Sequence, residues 1–98
     1  MADYNKAIEL NPRYALALDN RASLLMDSGE LESALSDETR AIAARPEFHT
    51  YYFNRARIYR KLKRYDEALK DFKRAEELGE DYQRVQHEID ATMQLQNR

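Results

Sequence analysis

Side chains able to carry acid–base or metal chemistry are few in this chain and lie far apart. The two histidines, His49 and His87, are not spaced four residues from another ligand type in a metal-binding motif. The chain has no glycine-rich phosphate loop, and no serine or threonine has a recognisable base nearby in sequence. It also has no cysteine, and therefore no thiolate chemistry and no disulfide framework. These features predict a protein that is not an enzyme, without a catalytic, metal or cofactor site.

The densest chemical feature is a run of bases from Arg55 to Arg64, which contains six basic residues and no acidic one. Such a run can bind phosphates or an acidic partner. Helical spacing would spread these bases around a helix and its following turn, which favours a solvated face. The run alone therefore leaves its partner open.

Length and charge narrow the class of protein. Ninety-eight residues suggest one domain, or a piece of one. Sixteen bases against eighteen acids give a formal net charge of −2, which argues against a dedicated nucleic-acid binder. Met1 and Ala2 lead straight into repetitive sequence, and neither a signal peptide nor an apolar span of about 18 residues is found. We therefore expect a cytoplasmic protein that binds neither membrane nor nucleic acid.

A repeat of 34 residues supplies the framework that must position any site. The pattern of Asp, two residues, a base and Ala begins at Asp3, Asp37 and Asp71, and Pro12 and Pro46 keep the same step. Further identities at this step are Asn20/Asn54, Arg21/Arg55, Ala22/Ala56, Ala34/Ala68, Leu35/Leu69, Arg40/Arg74 and Ala41/Ala75. A fixed period of this size is the signature of a repeat array. The recurring alanines indicate places where two helix backbones come close.

Apolar spacing and turn residues predict helices and no strand. The expected helices cover about 2–10, 13–28, 30–44, 47–61, 64–78 and 81–97. Gly29 and Gly79 suit the left-handed residue that ends a helix, whereas the turn after residue 61 has no glycine. We expect Tyr52, Ala56 and Tyr59 to face inward on 47–61, and we expect a narrow apolar stripe on the last helix. That stripe consists of Val85, Ile89 and Met93.

Paired helices at this step, recurring alanines and a closing proline resemble the tetratricopeptide repeat family. Residues 65–69 and 4–12 read almost as the family consensus. The resemblance implies an all-α array of helix-turn-helix repeats, an α-solenoid with a right-handed superhelix. Its full repeats are expected at 15–48 and 49–82, with a partial repeat at 2–14 and a capping helix at 83–97.

Some residues depart from the family pattern: Arg21, Arg55, Glu38 and Glu80. The two arginines stand where a large apolar residue is commoner. They recur together with Asp37 and Asp71, which predicts an ion pair in each repeat, with the stems buried and the charged heads solvated.

The resemblance also implies a protein–protein interaction scaffold that binds a peptide or partner segment in a concave groove. The first helix of each pair lines that groove. The expected groove residues are Asp19, Asn20, Ser23, Asp27, Phe53, Asn54, Arg57, Arg60, Lys61 and Arg84. The groove is therefore acidic toward the first repeat and basic toward the second, which favours an acidic partner segment. An exposed Phe53 among bases would serve as an apolar anchor.

One alternative is a chaperone-binding adaptor, since the family's chaperone-binding branch holds a C-terminal carboxylate in a clamp of Lys, Asn and Arg. With Asn54 as the central asparagine, Asp19 and Ser23 stand where that branch has Lys and Asn. Arg84 and Glu88 stand where it has Lys and Arg. With Asn20 in the centre, Thr50 and Asn54 occupy the positions of the two bases. Either clamp is incomplete.

An alternative of another class is an RNA-binding helical-repeat module, suggested by the period and the basic run. The net charge argues against it, as does the lack of a repeated set of base-reading polar residues.

A last expectation concerns the stability of the N-terminal helix. Residues 2–10 would lack a hairpin partner, and a helix of about nine residues is marginal alone in water. This end is therefore expected to fray, to self-associate into a homo-oligomer, or simply to be mobile.

Overall fold

The computed structural model describes residues 14–98, and within them the chain forms five α-helices and no strand. The helices are α1 (Ala15–Asp27), α2 (Leu31–Ala44), α3 (His49–Lys61), α4 (Tyr65–Glu77) and α5 (Tyr82–Gln96). The five helices expected in this range are confirmed, each end within two residues of its expected position. The helix expected over 2–10 lies outside the described residues.

The chain divides into two compact units, which we describe separately. In the first, which ends at Glu47, α1 packs on α2. In the second, Phe48–Arg98, α4 packs on both α3 and α5. Within each unit, sequential helices thus form antiparallel hairpins, and the all-α repeat fold expected from the period is confirmed.

Three of the four connections between helices α1 to α5 use one hydrogen-bond pattern, and the connection between α2 and α3 does not. A residue with positive φ ends the helix: Gly29 at 85°, Lys63 at 64° and Gly79 at 116°. Its N–H donates to the carbonyl three residues back, and the next N–H donates to the carbonyl five residues back, at N–O distances of 2.8–3.1 Å. In the turn without glycine Lys63 adopts the left-handed conformation, which costs a residue with a side chain roughly 1–2 kcal/mol.

In two of these turns a single residue forms a backbone hydrogen bond with each of the two helices. The N–H of Glu30 closes α1 by donating to Leu25, while the carbonyl of Glu30 opens α2 by accepting from Ala34. Arg64 does the same between α3 and α4, donating to Tyr59 and accepting from Ala68. Glu30 and Arg64 therefore each hold the last turn of one helix and the first turn of the next.

The recurring alanines form the tightest part of each unit. Six of them are fully buried: Ala22, Ala34, Ala41, Ala56, Ala68 and Ala75. In the second unit the core cluster also contains Phe53, Phe72, Val85 and Ile89. Alanine at these sites lets neighbouring helices approach, and a larger side chain has no room without moving a backbone.

We expect Ala68→Leu to overpack the contact of α4 with its neighbours and to lower the free energy of unfolding by about 1–3 kcal/mol. Thermal melting of the purified variant measures this. Ala43→Leu makes the same change at an exposed helical position and should leave the melting temperature nearly unchanged. If Ala68→Leu melts at the wild-type temperature, the close crossing at Ala68 does not exist.

The buried stripe of α5 differs from the expected one at its last position. Val85 and Ile89 are buried as expected, but Met93 is 46% exposed and the expectation for it was wrong. Thr92 is buried instead, because its hydroxyl donates to the carbonyl of Glu88 at 2.7 Å and so has a partner without water.

The inward face of α3 also differs. Ala56 is fully buried as expected, but Tyr52 and Tyr59 are only half-buried, packed against the edge of the core cluster. The buried large side chains of α3 are instead Tyr51, Phe53 and Ile58.

An Arg–Asp ion pair joins α1 to α2 and another joins α3 to α4, as the repeat predicts. Arg21 donates from Nε and Nη2 to the two carboxylate oxygens of Asp37 at 2.6 and 2.7 Å. Arg55 makes the same bidentate contact with Asp71 at 2.6 and 3.0 Å. The expectation that the charged groups are solvated was wrong, however, since the Arg55 and Asp71 side chains are only 19% and 7% exposed.

Both guanidinium groups stay charged. The hydrogen bond that Arg21 donates to Asp37 raises the pKa of Arg21 against a smaller opposing effect of burial. Burial lowers the pKa of Arg55, but the hydrogen bond and charge of Asp71 more than offset it, so the net direction is upward. These are therefore true ion pairs rather than neutral hydrogen bonds.

Candidate functional site

The α1 face consists of the four expected groove residues on α1. Asp19 is buried rather than lining a surface, Asn20 and Ser23 are half-buried, and Asp27 is exposed at the end of the helix. Their spacing places them along one side of α1. In the first unit, the candidate surface is therefore polar, with its exposed negative charge at Asp27.

The second unit presents a larger candidate surface, which we call the α3–α5 face. It comprises Asn54, Arg57, Arg60, Lys61, Arg84 and Glu88. Arg60 donates from Nη1 to Glu88 at 3.0 Å and approaches the Thr92 hydroxyl at 3.4 Å. Arg84 lies over Phe53 near the start of both helices. Because the contacts advance together along both helices, α3 and α5 run in the same direction at this face.

Phe53 is not the exposed anchor that the sequence suggested. It is 2% exposed, and its ring meets Phe72 edge-on with centroids 5.3 Å apart. The guanidinium carbon of Arg84 lies 4.5 Å from the Phe53 ring centroid. The expectation was wrong because α5 contributes Val85 and Ile89 to the cluster that surrounds this ring.

The basic run splits into paired and unpaired halves. Arg55, Arg60 and Arg64 form ion pairs with Asp71, Glu88 and Glu67. The others are Arg57, Lys61 and Lys63. Arg57 is half-buried and Lys61 exposed, and neither forms an ion pair with an acidic residue within residues 14–98. The α3–α5 face therefore carries positive charge that the second unit does not neutralise.

A polar contact links the starts of α3 and α5. His49 Nδ1 lies 3.3 Å from Glu80 Oε1, and Arg84 Nη1 lies 3.8 Å from the other Glu80 oxygen. Asp81 caps α5 by accepting from the backbone N–H of Arg84 at 2.9 Å. Sequence reasoning missed this contact, although Glu80 was noted as a departure from the repeat pattern.

A second polar feature lies on the seam between α3 and α4. Arg55 sits between the rings of Tyr52 and Tyr59, at 5.9 and 5.6 Å from their centroids. A cavity of about 140 Å³ opens beside it, lined by Arg55, Tyr59, Glu67, Lys70 and Asp71. Two bases and two acids balance in this lining, so it offers no net charge to select a ligand.

Other kinds of site find little support in the part of the chain described. No group of three His, Asp or Glu side chains in residues 14–98 is placed to hold a metal ion.

None of the helices α1 to α5 combines the length and apolar content needed to cross a membrane.

Residues 20–82 match a family model described as "Tetratricopeptide repeat". The chain is 36% identical over 87 residues to "Tetratricopeptide repeat protein 36" of Xenopus tropicalis. That match covers 85% of this chain but only 43% of the relative's length. The chain thus spans less than half of a longer protein to which it is similar.

Two solved structures are similar over almost the whole chain. The first repeat domain of Spaghetti (RPAP3), bound to the HSP90 peptide SRMEEVD, is 25% identical with a TM-score of 0.89. It matches 97% of this chain and 75% of that domain. YrrB, described as having an unusual peptide-binding site, is 26% identical with a TM-score of 0.85, over 96% of this chain and 48% of YrrB.

Proposed function

The chain belongs to the tetratricopeptide repeat family, and from that premise we propose that it is an interaction scaffold which binds an acidic segment of a partner protein on the α3–α5 face. Residues 15–48 and 49–82 are its two full repeats in this proposal. The role is binding, not catalysis.

One observation carries the proposal: Arg57 and Lys61 lie on α3 without an acidic partner in the second unit. Arg84 adds a third base, an exposed one from α5, while the acid of this face, Glu88, is already bonded to Arg60. Carboxylates of a partner would meet charge-assisted hydrogen bonds here, which are stronger than neutral ones. Charge of one sign on a face also speeds encounter with an oppositely charged segment.

The likeness to known proteins supports a peptide as the occupant. One structural relative is bound to a peptide rich in acidic residues, and another is described by its peptide-binding site. The incomplete clamp favours an internal acidic segment over a free C-terminus. Of the residues the chaperone-binding branch uses, this chain retains Asn54 and one base, Arg84, and it has Glu88 where the second base would stand.

We expect Arg57→Glu combined with Lys61→Glu to abolish binding of acidic peptides, because attraction at two positions becomes repulsion. Calorimetry with short Asp- and Glu-rich peptides measures the affinity, and circular dichroism checks the fold. Lys70→Glu with Lys73→Glu is the matched control, since it makes the same charge change at two exposed positions of α4. Equal binding by both double variants and the wild type would move the site elsewhere.

The same peptides separate the alternatives. An internal acidic segment binds equally well with a free or an amidated C-terminus, whereas loss on amidation would favour the chaperone-type clamp. Retention of RNA that weakens steeply with salt, in place of peptide binding, would favour the nucleic-acid alternative.

A further inference from the structure

The guanidinium of Arg84 lies over the buried ring of Phe53 and is itself on the surface. We call this guanidinium the cover. Phe53 is 2% exposed, yet the group over its ring belongs to a side chain that is itself 62% exposed. The guanidinium lies 4.5 Å from the ring centroid, well within the range of a cation–π contact. Part of the burial of Phe53 therefore depends on a side chain that reaches into solvent.

Little else holds Arg84 in place. Its ion pair with Glu80 is 3.8 Å long, near the limit for such a contact, and although the Glu80 side chain is only 9% exposed, the Arg84 side chain is 62% exposed and screened by solvent. Cation–π contacts at exposed sites are also weak. The cover can therefore leave the ring at a modest cost in free energy.

The repeat shows that this arrangement is not required by the fold. Asp19 occupies the position of Phe53 in the first repeat, and Thr50 occupies the position of Arg84. Each lies 34 residues before its counterpart. The pairing of Phe53 with Arg84 is thus not repeated at the equivalent positions, and it lies on the α3–α5 face beside Arg57 and Lys61.

We propose that Arg84 is a movable cover, which a carboxylate of the partner draws away from Phe53 so that a neighbouring apolar side chain of the partner packs on the ring. This inference rests on the proposed function and names its partner more closely. The partner is an acidic segment in which an apolar residue stands next to Asp or Glu. A neutral apolar segment binds more weakly here, because it must meet the cost of moving the guanidinium without a carboxylate to bond it.

This arrangement makes the affinity gained from the partner's apolar residue depend on its acidic residue, and we call this dependence the coupling. In the closed state the ring is covered, so an apolar side chain gains nothing. A carboxylate that bonds Arg84 favours the open state and exposes the ring, since a ligand shifts an equilibrium by its differential affinity for the two states. The gain from the apolar residue must therefore depend on the acidic one.

The test uses four short synthetic peptides and the whole chain. Two are rich in Asp and Glu and carry either Leu or Ser at the centre. The other two are their neutral counterparts, with Asn and Gln. For the wild type we expect Leu to improve binding of the acidic peptide by about tenfold over Ser, as partial burial of a Leu side chain would give. We expect no such preference between the neutral peptides.

Two variants of Arg84 complete the design. Arg84→Ala removes the cover, so Leu should be preferred over Ser in the acidic and neutral peptides alike, while acidic peptides bind less tightly. Arg84→Lys keeps the charge but loses the flat group over the ring, and it should keep acidic binding while weakening the coupling. Thermal melting confirms that each variant is folded.

Two outcomes overturn the inference, and they are distinguishable. Acidic peptides that bind the wild type without any preference for Leu, or with a preference that the neutral peptides share, refute the cover but leave the proposed function standing. If no acidic peptide binds the wild type, the proposed function fails and the inference fails with it.

Discussion

Replacing Phe72 by Ala is expected to lower the free energy of unfolding by about 3–5 kcal/mol, the usual cost of removing a buried aromatic side chain. Phe72 is fully buried, meets Phe53 edge-on, and has the guanidinium of Arg60 at 5.6 Å from its ring centroid. The variant leaves a cavity among helices that cannot close in without moving the alanine contacts. Urea denaturation followed by circular dichroism measures the loss.

Because small domains are only about 5–15 kcal/mol stable, this variant should be close to unfolded at room temperature. Phe48→Ala provides the matched control, since Phe48 is 38% exposed and its removal should cost far less. Equal losses for the two variants would mean that Phe72 is not central to the core of the second unit.

The Arg55–Asp71 pair gives the second large effect. Asp71→Ala should lower the free energy of unfolding by about 2–3 kcal/mol, because it leaves a half-buried guanidinium without its carboxylate. We place it below the 3–5 kcal/mol typical of fully buried pairs, since Arg55 retains some contact with water and lies between two tyrosine rings. Urea denaturation again provides the measurement.

The double variant Arg55→Leu with Asp71→Ala should recover most of that loss, since an apolar residue in place of a buried charge is often tolerated. Arg21→Leu with Asp37→Ala provides the corresponding cycle in the first repeat, where the ion-pair geometry is nearly the same. If the single losses simply add in the double variant, the two side chains do not interact energetically.

The 34-residue period predicted those parts of the fold that are formed by residues recurring in both repeats. The helices, the six buried alanines and both Arg–Asp pairs follow from residues that recur at this step. Even the departure at Glu38 fits the period, because Glu38 is fully buried as Phe72 is at the equivalent position. Burial at this site follows the position in the repeat rather than the residue type, although from the sequence Glu38 was named only as a departure from the pattern.

Contacts between residues that do not recur could not be predicted in this way. Phe53 was taken for a surface residue because helical spacing places it away from the side with Tyr52, Ala56 and Tyr59, while its burial depends on side chains of α5. Thr92 was passed over for Met93 because hydropathy alone does not show that a hydroxyl bonds its own helix backbone. The contacts of Arg60 with Glu88 and of His49 with Glu80 could not be predicted either, because neither residue pair recurs at the 34-residue step.

The turns that share a residue between two helices bear on how the molecule opens. Loosening Glu30 or Arg64 breaks the last bond of one helix and the first bond of the next at the same moment. Fraying therefore cannot stop at the end of a single helix on the turn side. We therefore expect the hairpin to open as one cooperative unit, so that amide hydrogens on both sides of a turn exchange with solvent water at similar rates.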